Sequence, residues 1–226
     1  MKKFFLAIFS FLPVLSMAQS NWEVPTEQKD NQKGKELVAK LKNNDSENLP
    51  DVKYLKGAVP EIDGKVVFSF EQDVPGKTAQ QLYEAAYQFL DTLTRGDLQY
   101  IADMKDGPQR ISRISIVNRN ENTIVAVFDE WLTFTSNFIN LDRTRFKYAF
   151  IVKCTDGHVY ATIDRICYLY EEGRTTELTV KAENWINDKN ALNKKGDKLN
   201  RSTAKFRRKT VDRVQQIFKD FKLALL

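Results

Sequence analysis

The chain has 226 residues, with 35 Lys and Arg, 30 Asp and Glu, and one His, so its formal net charge is +5. This length is enough for one ordinary domain with a buried core. One His and two Cys disfavour a zinc site, which needs several converging nitrogen or sulfur ligands.

The first residues form a pattern that is typical of an export signal. Two lysines precede an apolar run, Phe4 to Leu15, and a small-x-small cleavage site follows at residues 16–18. The run is shorter than the roughly 20 residues of a membrane-spanning helix. We therefore expect a signal peptide over 1–18, export to the periplasm or cell surface of a Gram-negative bacterium, and no transmembrane segment.

Residues 19–50 are polar and rich in Asn, Lys and acidic side chains. Such a segment buries too little apolar surface to order itself, so we predict a flexible leader. A single domain is then expected over 51–226.

The domain opens with a predicted strand near 65–71, where β-branched and aromatic residues cluster. Thr78 and Gln81 form a capping box that predicts the start of a helix. Apolar residues recur at helical spacing after it, and Gly96 stands where a C-terminal cap is expected. The apolar positions are Leu82, Ala86, Phe89 and Leu93.

Residues 97–171 change to the pattern of strands. Five segments alternate or are β-branched, and short turns separate them, which predicts an antiparallel sheet. The segments are LQYIADM, RISRISIVN, NTIVAVFDEWLTF, RFKYAFIVKC and HVYATIDRICYLY. A last helix is expected from about Thr203 to Leu225, capped by Ser202. The order predicts an α+β fold, with five to six antiparallel strands and both helices on one face.

The stretch CTDGHVYATIDRIC holds both cysteines. Asp-Gly between two alternating runs predicts a two-residue hairpin turn, so that paired residue numbers sum to 313. Cys154 then lies opposite Val159 and Cys167 opposite Phe146, about 26 Å apart along the ribbon at 3.3 Å per residue. A disulfide needs Cα atoms within roughly 7 Å. We therefore expect two free, non-catalytic thiols.

The same register assigns the two faces of the hairpin. The expected core face holds Phe146, Tyr148, Phe150, Val152, Cys154, Val159, Ala161, Ile163, Cys167 and Leu169, with Arg165 as the one exception at this phase. The opposite face holds Lys147, Lys153, His158, Tyr160, Thr162, Asp164, Tyr168 and Tyr170. Tyr160, Tyr168 and Tyr170 are therefore candidate partner-binding residues, although such a face is more often only a solvated sheet surface.

Enzymatic chemistry has weak support in the sequence. His158 is out of phase with Cys154, which disfavours a metal or nucleophile pair. Asp129 and Glu130 are adjacent in a strand and should point to opposite faces. Glu130 shares the phase of apolar residues, so we expect it to pair with an arginine such as Arg113 or Arg165. We assign no catalytic residue, metal or cofactor.

Three segments together resemble a known family. They are YLKGAVPEIDGKVVFSFEQDVPGKTAQQLYEAAYQFL, DRTRFKYAFIVKCTDGHVYATIDRICYLYEE with the preceding DEWLTF, and NWINDKNALNKKGDKLNRSTAKFRRKTVDRVQQIF. They are similar to an exported bacterial family described only as a domain of unknown function with a TATA-binding-protein-like (TBP-like) fold. The resemblance implies a curved antiparallel sheet with helices on one side, in the envelope of Bacteroides-type bacteria. It supplies no catalytic residue.

Positive charge concentrates near the C-terminus. From Lys181 onward there are 13 basic and 5 acidic residues, a net of +8. The segment Lys194 to Lys209, including Arg207, Arg208 and Lys209, is a second candidate for partner binding, because such clusters attract anionic lipid headgroups. No aromatic residues alternate with the basic ones to stack bases, and an exported protein meets little nucleic acid, so nucleic acid is not an expected partner.

These observations favour an exported, non-enzymatic envelope protein that binds a protein, a glycan or an anionic lipid headgroup. The alternative is a hydrolase acting on envelope or dietary polymers through carboxylates that the sequence does not pair.

Overall fold

A computed structural model describes residues 51–102, 112–136 and 141–226. The expected signal peptide and leader lie outside these residues. The elements are a 3-10 turn (Asp51–Tyr54), β1 (Glu61–Ile62), β2 (Lys65–Val66), β3 (Phe68–Asp73), α1 (Ala79–Ala102), β4 (Arg113–Asn118), β5 (Thr123–Ser136), β6 (Leu141–Thr155), β7 (His158–Tyr170), β8 (Leu178–Lys181), a second 3-10 turn (Ala182–Asn184), α2 (Asp188–Ala191) and α3 (Arg201–Leu225).

The central element is a six-stranded antiparallel sheet in the order β3-β7-β6-β5-β4. β8 pairs with the last residues of β7, beyond the end of β3, while β1 and β2 form a separate small hairpin. The predicted α+β fold and antiparallel sheet are confirmed. The hairpin β1–β2 and the strand β8 are too short to give a periodic signal in the sequence.

Alternate residues of the long strands point to one face, which we call the inner face. It includes Phe128, Tyr148 and Phe150, all buried. α1 and α3 add their apolar stripes to the same core: Phe89 and Phe221 have ring centroids 6.5 and 5.3 Å from that of Phe150. The opposite, outer face of the sheet therefore remains for other contacts.

α1 begins as predicted and ends later than predicted. The backbone N–H of Thr78 donates to Oε1 of Gln81 (2.9 Å), and the N–H of Gln81 donates to Oγ1 of Thr78 (3.3 Å), which confirms the capping box. The helix then continues through Gly96 to Ala102. The prediction of a cap at Gly96 and a strand from residue 98 was wrong; residues 103 and 104 of that segment lie outside the described part. An interior glycine costs only about 1 kcal/mol, and the good helix formers Leu, Gln and Ala follow it.

α3 begins at Arg201 and its N-cap is Asn200, not the predicted Ser202. The carbonyl of Asn200 accepts from the backbone N–H groups of residues 203 and 204, at 3.1 and 2.9 Å. Its side-chain amide donates to the carbonyls of Asn190 and Leu192, at 2.8 and 3.1 Å, and so fixes the approach to the helix. An apolar stripe of α3 is buried, comprising Phe206, Val214, Ile217, Phe221 and Leu225.

A β-bulge in β7 changes the hairpin register. Pairs sum to 313 from the turn as far as Ala149 opposite Asp164, and then shift so that Lys147 lies opposite Cys167. Arg165 sits in the shifted stretch with a φ of 53°. One extra residue in a strand exchanges the two faces for everything beyond it. The predicted pairing of Cys167 with Phe146 was therefore wrong, and the two cysteines point to opposite faces.

The bulge makes residue 165 sensitive to side-chain shape. We expect Arg165→Val to lower the free energy of unfolding by about 1–2 kcal/mol, because a β-branched side chain is strongly disfavoured at positive φ. Arg165→Gly should stay within about 1 kcal/mol of the native protein, since glycine accepts this conformation. Urea unfolding followed by circular dichroism compares the two. Equal destabilisation by Val and Gly would contradict the left-handed conformation.

Candidate functional site

The outer face of the sheet has an open zone near the turns that join β4 to β5 and β6 to β7. One cross-strand row runs Thr123–Lys153–Tyr160–Glu71, and the next contains Val125 and Ile151. Lys153, Tyr160 and Glu71 are exposed, whereas the two aliphatic side chains are half-buried. We call these six residues the open zone. It combines an apolar row with an aromatic ring and charges of both signs.

Of the three tyrosines predicted on this face, only Tyr160 lies there, and it is 38% exposed. Tyr168 and Tyr170 are buried on the inner face, because they follow the bulge. The Tyr168 hydroxyl lies 2.6 Å from that of Thr210, and burial raises the pKa of both tyrosines. These two residues therefore belong to the core, and their predicted exposure is corrected.

The other end of the outer face is closed by an ionic cluster. Arg145 Nε lies 2.8 Å and Lys147 Nζ 3.6 Å from the two carboxylate oxygens of Asp129. The guanidinium carbons of Arg143 and Arg145 lie 3.8 and 4.7 Å from the ring centroid of Trp131. The Asp129 and Arg145 side chains are only 11% and 12% exposed. The charged groups of this cluster are thus paired with one another, and they leave little exposed area for a partner.

Arg207, a candidate for partner binding, is fully buried instead. Its Nε donates to the carbonyl of Tyr54 (2.6 Å), Nη1 to that of Ile186 (2.6 Å) and Nη2 to that of Leu55 (2.7 Å). Nη2 also pairs with Oδ1 of Asp188 (2.6 Å). This guanidinium joins α3 to the segment at Tyr54 and Leu55, about 150 residues earlier, and to the segment at Ile186 and Asp188, about 20 residues earlier, so it is not available to a partner.

Lys205 is a second basic residue of the C-terminal segment that points inward. Its Nζ lies 2.7 Å from Oδ2 of Asp142 and 2.9 Å from the hydroxyl of Tyr170. The ammonium also lies 4.8 Å from the ring centroid of Phe134 and 5.7 Å from that of Phe206. Burial lowers the pKa of Lys205, while Asp142 opposes that shift. Lys205 is therefore not available to a partner, because its side chain is only 15% exposed.

The exposed part of the basic segment is smaller than predicted. Arg208 is half-buried and engaged in an interaction, while Lys209 is exposed. Three further lysines are exposed on the loop between α2 and α3: Lys194, Lys195 and Lys198. Oδ1 of Asn193 accepts from the N–H of Asp197 (3.1 Å), which helps to shape this loop. We call it the basic loop.

The two adjacent carboxylates of β5 point to opposite faces, as the strand period predicts. Glu130 is inward and accepts two hydrogen bonds from Arg213, at 2.8 and 2.7 Å, and one from the Tyr148 hydroxyl at 3.3 Å. The expectation that Arg113 or Arg165 would be its partner was wrong. The actual arginine comes from α3, 83 residues later in the chain.

Asp164, beside the bulge, is the carboxylic acid with the clearest perturbation among the described residues. Burial raises its pKa, with a further increase from Glu183 and an opposing effect of Arg165. Oδ1 of Asp164 is buried and lies 3.9 Å from Nε of Arg165. This side chain faces outward, in the cross-strand row next to that of Val125 and Ile151.

Cys154 and Cys167 are free and buried, as predicted. Burial raises the pKa of both thiols from 9.0 to about 11. The positive charges of Lys147 and Lys181 oppose that shift at Cys167 without cancelling it. Neither thiol is prepared as a nucleophile, because the reactive form is the thiolate.

The thiols supply a prediction for reactivity and pH. Native protein at pH 8 should react slowly with a disulfide reagent, and two groups per chain should react after denaturation. Between pH 9 and 11 the thiols ionise in the unfolded protein but stay protonated in the folded protein. Their contribution to the free energy of unfolding is therefore complete below about pH 9 and is lost as the pH rises to about 11. Thiol titration of unreduced, denatured protein is the measurement. Finding no free thiol would contradict the structure.

Within residues 51–102, 112–136 and 141–226, no group of three or more His, Cys, Asp or Glu side chains is placed to hold a metal ion. His158 lies beside the hairpin turn, with Nδ1 2.7 Å from Oδ1 of Asp73. None of the helices in this part of the chain combines the length and apolarity needed to cross a bilayer.

Comparisons with known proteins agree with this architecture. Residues 68–169 match the family profile "Domain of unknown function (DUF4468) with TBP-like fold". A crystal structure of a DUF4468 family protein from Bacteroides ovatus is similar at 38% identity and a TM-score of 0.70, covering 79% of this chain and 96% of that one.

A TBP-like protein from Parabacteroides distasonis shares the fold at 22% identity and a TM-score of 0.56, covering 74% of this chain and 97% of that one. No protein of curated function matches the chain. The sheet, its covering helices and the match to the Bacteroides ovatus protein place the chain in the DUF4468 family, whose fold is TBP-like.

Proposed function

We propose that this protein is an exported, non-enzymatic binding module of the cell envelope, and that it binds a protein partner through the open zone. The observation that carries this proposal is the position of Tyr160. This residue is 38% exposed on the sheet face that points away from both long helices, between exposed Lys153 and Glu71. The proposal of export rests on the N-terminal sequence pattern.

The composition of the open zone fits a protein partner better than a glycan or a lipid headgroup. Val125 and Ile151 supply an apolar row, and the exposed charges beside them, Lys153 and Glu71, have opposite signs. Protein interfaces combine an apolar, aromatic centre with a polar rim. A surface that recruits anionic headgroups would instead carry a cluster of basic residues, and in this protein those lie on the basic loop.

The test is photo-crosslinking in living cells, with a benzophenone amino acid in place of Tyr160. We expect a specific adduct, absent when the same group replaces Leu223, which is 65% exposed on α3 and serves as the control. The partner should then be retested with Tyr160→Ser/Lys153→Ser and, separately, with Lys194→Ser/Lys195→Ser/Lys198→Ser.

The proposal predicts that the first variant weakens binding at least about tenfold, a change of about 1.4 kcal/mol. The second should leave binding unchanged. Binding should also depend weakly on salt between 0.05 and 0.5 M, because contacts of aromatic and aliphatic groups are hardly screened. A steep salt dependence with loss of binding in the basic-loop variant would assign the site to that loop instead.

The hydrolase alternative has one observation in its favour, the raised pKa of Asp164 next to Glu183. A partly buried carboxylic acid that interacts with a second carboxylate is an arrangement that some general acids use. If Asp164 acts in this way, envelope polysaccharide or peptidoglycan incubated with the protein should release soluble fragments, and Asp164→Asn should abolish the release. No release by the native protein would leave the binding module as the function, whereas equal release by both proteins would mean that the hydrolysis does not depend on Asp164.

A further inference from the structure

The strand β4 forms one edge of the six-stranded sheet. It pairs with β5 on one side, and within the described part of the chain no strand lies on its other side. An open edge exposes backbone N–H and C=O groups that a strand of another chain can pair with. Its register has a bulge between Ile114 and Ile116, so the regular end of the edge is Ile116–Asn118.

This end of β4 exposes apolar side chains on both faces of the sheet. Ile116 is 56% and Val117 is 54% exposed. Ile116 pairs with Val125 in the apolar row of the outer face, and Val117 pairs with the fully buried Ile124 of the inner face. An added strand would therefore cover apolar surface above and below the sheet, while its backbone paired with the edge.

Charge selects which strand fits. The segment 113–119, RISIVNR, has an exposed arginine at each end and no acidic residue. If the segment 113–119 paired antiparallel with its own copy about Ile116, Arg113 of one copy would lie directly opposite Arg119 of the other. Like charges in diagonal or opposed positions destabilise paired strands. A second copy is thus disfavoured, and a strand with acidic ends is favoured.

We propose that the β4 edge accepts an extended peptide segment of another protein, with alternating apolar residues in its centre and acidic residues at its ends. This β-augmentation site borders the open zone at Val125 and lies three strands away from Tyr160. Backbone pairing at Ile116–Asn118 supplies the geometry, Ile116 and Val117 supply the apolar contacts, and Arg113 with Arg119 selects the charge. Because the regular edge is only three residues long, the contact is small and the affinity is that of a transient complex.

The probe is a synthetic heptapeptide, Glu-Val-Thr-Val-Thr-Val-Glu, blocked at both ends, with a matched peptide that has Lys at both ends. Titrations of the full mature chain at 0.05 M salt, followed by backbone amide resonances, should show shifts centred on Ile116–Asn118. The acidic peptide should bind at least about tenfold more tightly than the basic one, and this ratio should shrink towards unity at 0.5 M salt.

Two variants separate the parts of the site. Ile116→Ser/Val117→Ser should lose peptide binding, whereas Leu223→Ser/Leu226→Ser, which removes comparably exposed apolar side chains from the C-terminal end of the chain, should not. Arg113→Ser/Arg119→Ser should keep weak binding and lose the preference for acidic ends.

Equal affinity for both peptides, or shifts elsewhere than at β4, would overturn the proposal. A concentration-dependent dimer in sedimentation velocity that Ile116→Ser/Val117→Ser abolishes would overturn it as well, by showing that a second copy occupies the edge. The Tyr160→Ser/Lys153→Ser variant should bind the acidic peptide normally, so failure at this edge can be distinguished from failure of the proposed open-zone function.

Discussion

Arg207→Met is expected to lower the free energy of unfolding by about 3–5 kcal/mol. The arginine is fully buried, and its guanidinium satisfies three backbone carbonyls and the carboxylate of Asp188. Methionine keeps much of the side-chain volume but donates no hydrogen bond, so these acceptors would remain buried without a donor. Leaving a buried polar group unsatisfied costs more than the net value of the bond that was lost.

Urea unfolding monitored by tryptophan fluorescence measures this effect, with Lys209→Met as the control. Lys209 is exposed two residues later on the same helix, and its replacement should change stability by no more than about 0.5 kcal/mol. If Arg207→Met were as mild as the control, the buried position of the guanidinium would be contradicted. In the Arg207→Met protein, amide hydrogen exchange should also become faster at Tyr54 and Leu55, because their carbonyls accept hydrogen bonds from Arg207 in the native protein.

Phe206→Ala is expected to cost about 3–5 kcal/mol, the usual range for truncating a buried aromatic residue. Phe206 is fully buried where α3 meets the ends of β5 and β7. Its ring centroid lies 4.6 Å from that of Phe134, 5.2 Å from Tyr168 and 5.4 Å from Tyr170. Alanine would leave a cavity among rings that are held by other contacts and cannot close over it.

Phe206→Leu should cost less than Phe206→Ala, because the leucine refills part of the cavity. Leu223→Ala is the control on the same helix: its side chain is 65% exposed, so its truncation should change stability little. Thermal unfolding and urea midpoints rank the three variants. A Phe206→Ala protein as stable as the control would contradict the packing of α3 against this end of the sheet.

Local patterns in the sequence predicted the elements that depend on near neighbours. The capping box at Thr78 and the helical period fixed the start of α1, and Asp156-Gly157 predicted the hairpin between β6 and β7 with its register near the turn. Hydrophobic alternation assigned the core face correctly from Phe146 to Ile163. These signals are local because capping, turn geometry and side-chain period act over a few residues.

The candidate site was predicted only in part. Tyr160 lies between the turn and the bulge, where the strand period still holds, and its exposure on the outer face follows from that period. Tyr168 and Tyr170 lie beyond the bulge and are buried. The alternation of β7 carried one signal of the bulge, because Arg165 is the one charged residue at the core phase, between Ile163 and Cys167. Its left-handed conformation and the change of face beyond it appear only in the paired strands.

The amino-acid sequence by itself determined the α+β class, the antiparallel sheet and the free thiols, because these follow from period, turn chemistry and spacing along the chain. The tertiary structure alone decided which charges are usable. Arg207 is buried and donates hydrogen bonds to the carbonyls of Tyr54 and Ile186. Glu130 accepts hydrogen bonds from Arg213, which lies 83 residues later in the chain. A basic residue looks the same in sequence whether it meets solvent or a buried acceptor, because its environment is set by residues that are distant in the chain and near in space.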